Sequence, residues 1–323
     1  MQITKDKLLE ILNDNNVHVD EAELSQMYDN ARGVDGTFLE YFLKYHRMPL
    51  SKTDEHRLKG ITPMPLYQAL VRCPLMLKHY HDKRIAKFRG NPERDILLSL
   101  LADNAYKNIS DLEFQEYLES EELSVSSEVY HKAFSYMEVL MKKESTERRS
   151  AKMELDETLA IVDTNGHSPL ITYKNHLTLR GAHNDHVFFI KVIKGTFSES
   201  YLKIFEESMF MTALAALSQS EGKKNIKVNL LLLLEDDMLV PVRWHIPADF
   251  TERMQVHPGE IAKKFILDGF KNLPEDFLED TERLKQLSSK SRFCDFCGYQ
   301  WLKEETFNKD FSTEESANDK KKD

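Results

Sequence analysis

The chain has only three cysteines in 323 residues: Cys73, Cys294 and Cys297. So few argue against a disulfide-built scaffold and fit a reducing compartment in which thiols serve a metal or redox site. Long apolar runs are missing as well. The longest, 228–234, is interrupted by Asn229 and runs into Glu235, Asp236 and Asp237, far short of a bilayer crossing. The opening residues, Met-Gln-Ile-Thr-Lys-Asp-Lys, bring charges before any apolar stretch forms. No secretory leader is expected there, and a cytoplasmic location is. Glycine-rich phosphate loops, nucleophile elbows, kinase signatures and internal repeats are all absent from the sequence.

What remains is an ordinary globular composition, 41% hydrophobic and 30% charged, with room for one large domain or two modest ones. The formal net charge of −10 speaks against affinity for nucleic acid over the whole surface. Its distribution is polarised, however. Residues 52–90 hold nine Lys/Arg against three acids, whereas residues 91–130 hold two against ten. Arg72, Lys78, Lys83, Arg84, Lys87 and Arg89 alternate with Tyr67, Tyr80 and Phe88. Cations beside flat rings suit a nucleic-acid strand, through phosphate contact and base stacking. The same residues also suit two solvated helix surfaces with aromatic anchors.

Caps and periodicity predict a helical front section. Thr4, Asp20 and Thr37 are candidate N-caps in the first fifty residues, and Thr62-Pro63 is a candidate helix start with proline at the first position. Pro74 restarts or kinks that helix, Pro92 and Ser110 open further ones, and Ser127 opens a long one ending in the charged stretch 142–149. Around Asp35-Gly36 the acids miss the spacing of a calcium loop. Strands are then expected at 158–162 and 169–173 around the turn Asp163-Thr164-Asn165-Gly166, at 176–179 and at 186–193. A helix over 199–217 precedes a hairpin, 226–234 with 238–242, and helices from Pro258 and Pro274 lead to Cys294-Asp295-Phe296-Cys297. Beyond residue 309 the composition reads as a disordered polar tail. The expected fold class is α/β, a mixed sheet with a largely helical N-terminal section. The expected divisions are 1–55, 56–150, 151–300 and 301–323.

A Cys-x-x-Cys turn presents two thiolates to one metal-sized point, to which only the fold can bring a third. The segment Ile61-Thr62-Pro63-Met64-Pro65-Leu66-Tyr67-Gln68-Ala69-Leu70-Val71-Arg72-Cys73-Pro74, followed by Tyr80, resembles the Cys-Pro helix of RecB-like PD-(D/E)XK nucleases. The subgroup it resembles carries an iron–sulfur staple and includes AddB nuclease domains and CRISPR-associated exonucleases. Cys73, Cys294 and Cys297 match three of that staple's four cysteines, and the order of strands, helix and hairpin follows the family's. The resemblance implies a restriction-endonuclease-like sheet, DNA as substrate, and Mg²⁺ or Mn²⁺ held by an acid on one strand and an Asp/Glu-x-Lys on the next.

The sequence departs from that pattern at the chemistry. No cysteine follows Cys297, so a four-cysteine cluster cannot form within the chain. Zinc held by three thiolates and a histidine, a degenerate iron–sulfur site, or plain packing remain for Cys73, Cys294 and Cys297. Lys174 follows Thr172 and Lys194 follows Val192, so neither lysine has the carboxylate two residues before it. Asp156, Glu157, Asp163 and Asp185 are the acids within reach in sequence, and Glu207 with Met211 stands where the family carries Gln-x-x-x-Tyr. The catalytic candidates are therefore Asp163, Lys174, Asp185 and Lys194, in a scaffold expected to have lost its chemistry. The expected activity is DNA binding, or scaffolding of a DNA-processing or defence complex with a protein partner. The alternatives are an active Mg²⁺/Mn²⁺ exonuclease with displaced acids and an interaction module that docks through 91–130. His183-Asn184-Asp185-His186 matches half of a metallo-hydrolase motif and reads more simply as a polar turn. His79 and His81 point apart on a helix and make poor joint ligands.

Overall fold

A computed structural model describes residues 3–14, 17–81, 116, 127–144, 152–164, 169–193, 199–220, 222–234, 238–271 and 273. The chain divides into two compact units, residues 1–70 with 91–269, and residues 71–90 with 270–323.

The larger unit opens with four helices: α1 Lys5–Asp14, α2 Glu21–Asn30, α3 Gly36–His46 and α4 Lys52–Ile61. Thr4 accepts from the Lys7 amide at 3.2 Å and starts α1. Asp20 and Glu23 form a reciprocal capping box on α2, satisfying amides that the helix itself leaves unpaired. The cap of α3 is Asp35, not the expected Thr37, whose own amide donates to the Asp35 carboxylate at 3.0 Å. Helix α4 was not foreseen, although Ser51 and Asp54 cap it in the same reciprocal way as α2. Thr62 ends α4 instead of starting a helix, because its extended backbone and following proline turn the chain into the short strand β1 Met64–Pro65. Helix α5, Leu66–Val71, follows. In the smaller unit Arg72 adopts a positive φ of 54°, and Pro74 then opens α6, Pro74–His81.

After α7, Ser127–Glu144, come three long strands: β2 Lys152–Val162, β3 Pro169–Arg180 and β4 Asn184–Ile193. The two strands expected at 169–173 and 176–179 are one. Helix α8, Glu199–Ser220, crosses to β5 Asn225–Leu234, which turns back as β6 Leu239–Ile246. The short α9, Phe250–Arg253, and α10, Pro258–Phe270, complete the described elements.

The sheet is mixed, as an α/β class requires. β2 lies antiparallel to β3 along nearly its whole length, and β4 lies parallel to β5 from Asn184/Asn225 to Ile193/Leu234. Ile171 is paired with both Ile161 and Met64, and Thr178 with both Glu154 and Val187. A strand has two edges, so β2 holds one edge of β3 while β1 and β4 share the other. Every residue from Val228 to Leu234 is buried, which means that both faces of β5 are covered. On one face α7 sets Tyr130, Phe134, Met137 and Leu140 against Leu177, Phe188, Ile190, Leu231 and Leu233. The alternate residues Val228, Leu230, Leu232 and Leu234 point to the other face, where α8 lies against β2, β4 and β5.

The N-terminal helices belong to that second layer. Phe38 of α3 meets the rings of Phe210 on α8, Trp244 on β6 and Phe250 on α9 at 5.5, 6.3 and 5.6 Å, and Tyr45 meets Phe265 of α10 at 5.3 Å. Arg253 donates to the carbonyls of Asp29 and Arg32 at the end of α2, and Lys264 to that of His46 at the end of α3. Cations thus close two helix C-termini, where orphan carbonyls and the helix dipole favour positive charge. Among the described residues no helix is long and apolar enough to cross a membrane.

Candidate functional site

One end of the sheet gathers polar side chains around the tight turn 181–183 between β3 and β4. Gly181 permits the approach that builds it. A Cβ there would stand 2.5 Å from the Glu144 carboxylate and 2.9 Å from the Asn184 carbonyl oxygen. With no side chain in the way, Glu144 at the end of α7 reaches down onto the turn. It accepts from Asn184 Nδ2 at 3.0 and 3.1 Å, from His186 Nε2 at 2.8 Å, and pairs with Lys227 Nζ at 3.4 Å. Burial alone would raise the Glu144 pKa, but the hydrogen bonds from His186 and Asn184 and the nearby Lys227 charge hold it below its ordinary value. Burial lowers the His186 pKa, with the Lys227 and Arg243 charges acting the same way against the pull of Glu144. A carboxylate can only accept, so His186 donates Nε2–H to Glu144, and among the described residues the buried Nδ1 has no hydrogen-bond partner.

A second group centres on Arg180, the last residue of β3. Its Nε donates to Glu154 at 2.6 Å, one terminal nitrogen to Asp185 at 2.8 Å, and the other contacts Glu157. Lys224 Nζ takes the remaining oxygen of Asp185 at 2.9 Å. Asp185 is 4% exposed, so its charge is tolerable only because both oxygens meet cations. Glu154 and Glu157 on β2 and Asp185 on β4 are thus tied to one guanidinium on the strand between them. The His-Asn-Asp-His motif is likewise consumed internally, Asp185 by Arg180 and Lys224, and Asn184 and His186 by Glu144. Among the described residues no group of three or more His, Cys, Asp or Glu side chains is disposed to hold a metal ion.

Of the catalytic candidates from the sequence, Asp185 stands in this site, and Lys174 and Asp163 do not. Lys174 is paired with Thr158, while Asp185 is paired with Arg180. Six strand residues separate 174 from 180, about 20 Å at some 3.3 Å per residue. Asp163 follows the end of β2 remote from the Lys152/Arg180 pair, about 35 Å along the strand by the same rise. Lys194 lies outside the described residues. At the two positions where a carboxylate would complete Asp/Glu-x-Lys, Thr172 is paired with Ala160 and Pro65, and Val192 packs against the apolar cluster of α7 and the sheet. Met211, at the place expected of a tyrosine, is fully buried in α8.

Cys73 is half-buried and takes part in no disulfide. Cys294 and Cys297 lie outside the described residues. Of the basic segment, Arg72 and Lys78 are described and half-buried. Lys83, Arg84, Lys87 and Arg89 lie outside.

Among the site residues not foreseen are Glu144, Arg180, Lys224 and Lys227. Lys227 alone left a trace, as a charge in an otherwise apolar run. The other three stand at element ends, where charge is unremarkable and only the fold decides what they meet.

No protein-family model and no curated protein matches the sequence. A solved structure, the crystal structure of SSO0001, is similar over 82% of this chain and 93% of its own, at 13% identity and a TM-score of 0.31. So loose a likeness assigns neither family nor activity.

Proposed function

We propose that the chain is a non-catalytic protein of RecB-like PD-(D/E)XK nuclease type, which holds DNA in a DNA-processing or defence assembly instead of cutting it. The observation that carries this reading is the fate of the carboxylates. A hard divalent cation needs several oxygen ligands on one point. Here the acids that do gather, Glu154, Glu157 and Asp185, are bonded to the guanidinium of Arg180, with Lys224 on Asp185 as well. Where the resembled family would place a metal-binding acid ahead of Lys194, Val192 packs in an apolar cluster. The sequence resemblance around Cys73-Pro74, the α/β order and the basic segment 72–89 support the nucleic-acid half of the reading.

Two assays test it on the full chain. Linear duplex DNA incubated with Mn²⁺ is expected to stay intact with the wild type as with Lys174→Ala and Lys194→Ala. Cleavage lost in either variant would establish an active nuclease instead. Mobility shift with single- and double-stranded DNA at two salt concentrations is expected to show binding that weakens with salt. No shift at low salt would remove DNA as the ligand.

A further inference from the structure

The polar sheet end has its charges layered. Glu144 and Asp185 lie beneath, 9% and 4% exposed, and are already bonded inward. Outside them stand ammonium groups from two stretches of chain, the end of α7 and residues 223–227 at the start of β5. Lys142 and Lys143 occupy the last turn of α7, Lys223 precedes β5, and Lys224 and Lys227 flank its first residues. The topology brings them together: Glu144 bonds Asn184 and His186, and Asn184 is paired with Asn225. Lys142 is 70% exposed, Lys143 and Lys223 are exposed, and Lys224 and Lys227 remain 30% and 21% exposed after pairing with the carboxylates below. His183 is exposed at the tip of the turn between them. Lys142 is itself paired with Glu138, and nearby Asp249 is paired with Arg253.

We infer that this rim is a docking surface for the phosphodiester backbone of nucleic acid. The inference rests on the DNA-holding function proposed above and assigns it to residues other than the basic segment 72–89. The chain carries a net charge of −10, so five lysines gathered at one sheet end run against the overall field. Ammonium groups on two stretches of chain suit successive phosphates, each contact releasing counterions. The six rim residues bring no phenyl or indole ring for stacking, so the rim meets backbone and does not discriminate base sequence.

The test measures fluorescence anisotropy of labelled single- and double-stranded 30-mers from 50 to 300 mM salt. It compares the full-length wild type, the triple variant Lys142→Gln/Lys143→Gln/Lys223→Gln, and Arg72→Gln/Lys78→Gln as a comparison. The three rim positions are exposed, and an unchanged thermal melt verifies the fold. The triple variant is expected to bind duplex at least tenfold more weakly, with a log–log salt slope shallower by about 2 to 3. Wild-type affinity and slope in that variant would overturn the rim while leaving DNA binding intact. No binding by the wild type at 50 mM salt would overturn both. Equal rim-dependent binding to phosphatidylserine vesicles would reassign the phosphate to a membrane and overturn the nucleic-acid assignment.

Discussion

Gly181 and Arg180 are adjacent and carry opposite burdens. Gly181 contributes only the absence of a Cβ, and with it the approach of Glu144 to the turn. Gly181→Ala is expected to cost about 1–3 kcal/mol in chemical denaturation, since the clash involves the Asn184 backbone oxygen as well as a movable carboxylate. Arg180 contributes charge. Arg180→Met strands three carboxylates, of which Asp185 is the most buried. A fully buried pair broken in this way costs about 3–5 kcal/mol, but the guanidinium is 28% exposed and solvent screens part of it, so about 2 kcal/mol is expected. Adding Asp185→Asn should recover part of that loss, and the double-mutant cycle measures the coupling. His186 sets a pH dependence. Its folded pKa is lowered from 6.5, so below that value the unfolded chain takes up a proton that the native state resists. The Glu144 pKa is also lowered, from 4.5, and its contribution is lost as pH falls through and below that value. Burial lowers His46 and His245 as well, in the same stability direction as His186. Thermal stability should therefore fall steadily from pH 7 to pH 4. His186→Gln, which can still donate to Glu144, should flatten the upper part of that decline.

Among the elements, α2 and α3 show how a helix end is completed from elsewhere in the chain. Their N-termini are capped locally by Asp20 and Asp35, but their C-terminal carbonyls depend on Arg253 and Lys264, more than 200 residues later. Arg253→Ala is expected to destabilise the protein by about 1 kcal/mol and to speed amide hydrogen exchange in the last turn of α2 before any global opening. Exchange unchanged in that turn would mean that water satisfies the carbonyls equally well. Such local caps as Asp20 and Ser51 are written in a few consecutive residues and are legible there. Thr37 was a plausible cap two residues too late, because Asp35 offers a charged acceptor to the Thr37 amide itself. Strand β3 read as two pieces because its middle, Lys174-Asn175-His176, is polar. Pairing with β2 carries it through without interruption.

In the whole molecule, the front helices are a wall of the core and not an appendage. Phe38, Phe42 and Tyr45 bury rings against Phe210, Phe250 and Phe265, and Phe38 also meets Trp244. Burying an aromatic or large aliphatic side chain contributes about 1.5–3 kcal/mol, against a total stability of about 5–15 kcal/mol for a domain. Deletion of residues 1–50 should therefore yield an aggregated or loosely packed product without a cooperative melt. A soluble truncation with the wild-type melting profile would show that the sheet and α8 close without α3.

Local chemistry in the sequence determined the α/β class, the hairpin of β5 with β6, the Pro74 and Pro258 helix starts and the N-caps Thr4 and Asp20, because each rests on contacts within a few residues. The missing acids ahead of Lys174 and Lys194 were legible in the same way. Only the tertiary structure decided that Arg180 gathers the carboxylates of β2 and β4, that Glu144 descends onto a glycine turn, and that lysines from α7 and from the start of β5 meet at one sheet end. Those outcomes depend on strand register and helix placement, where a shift of one residue sends a side chain to the opposite face.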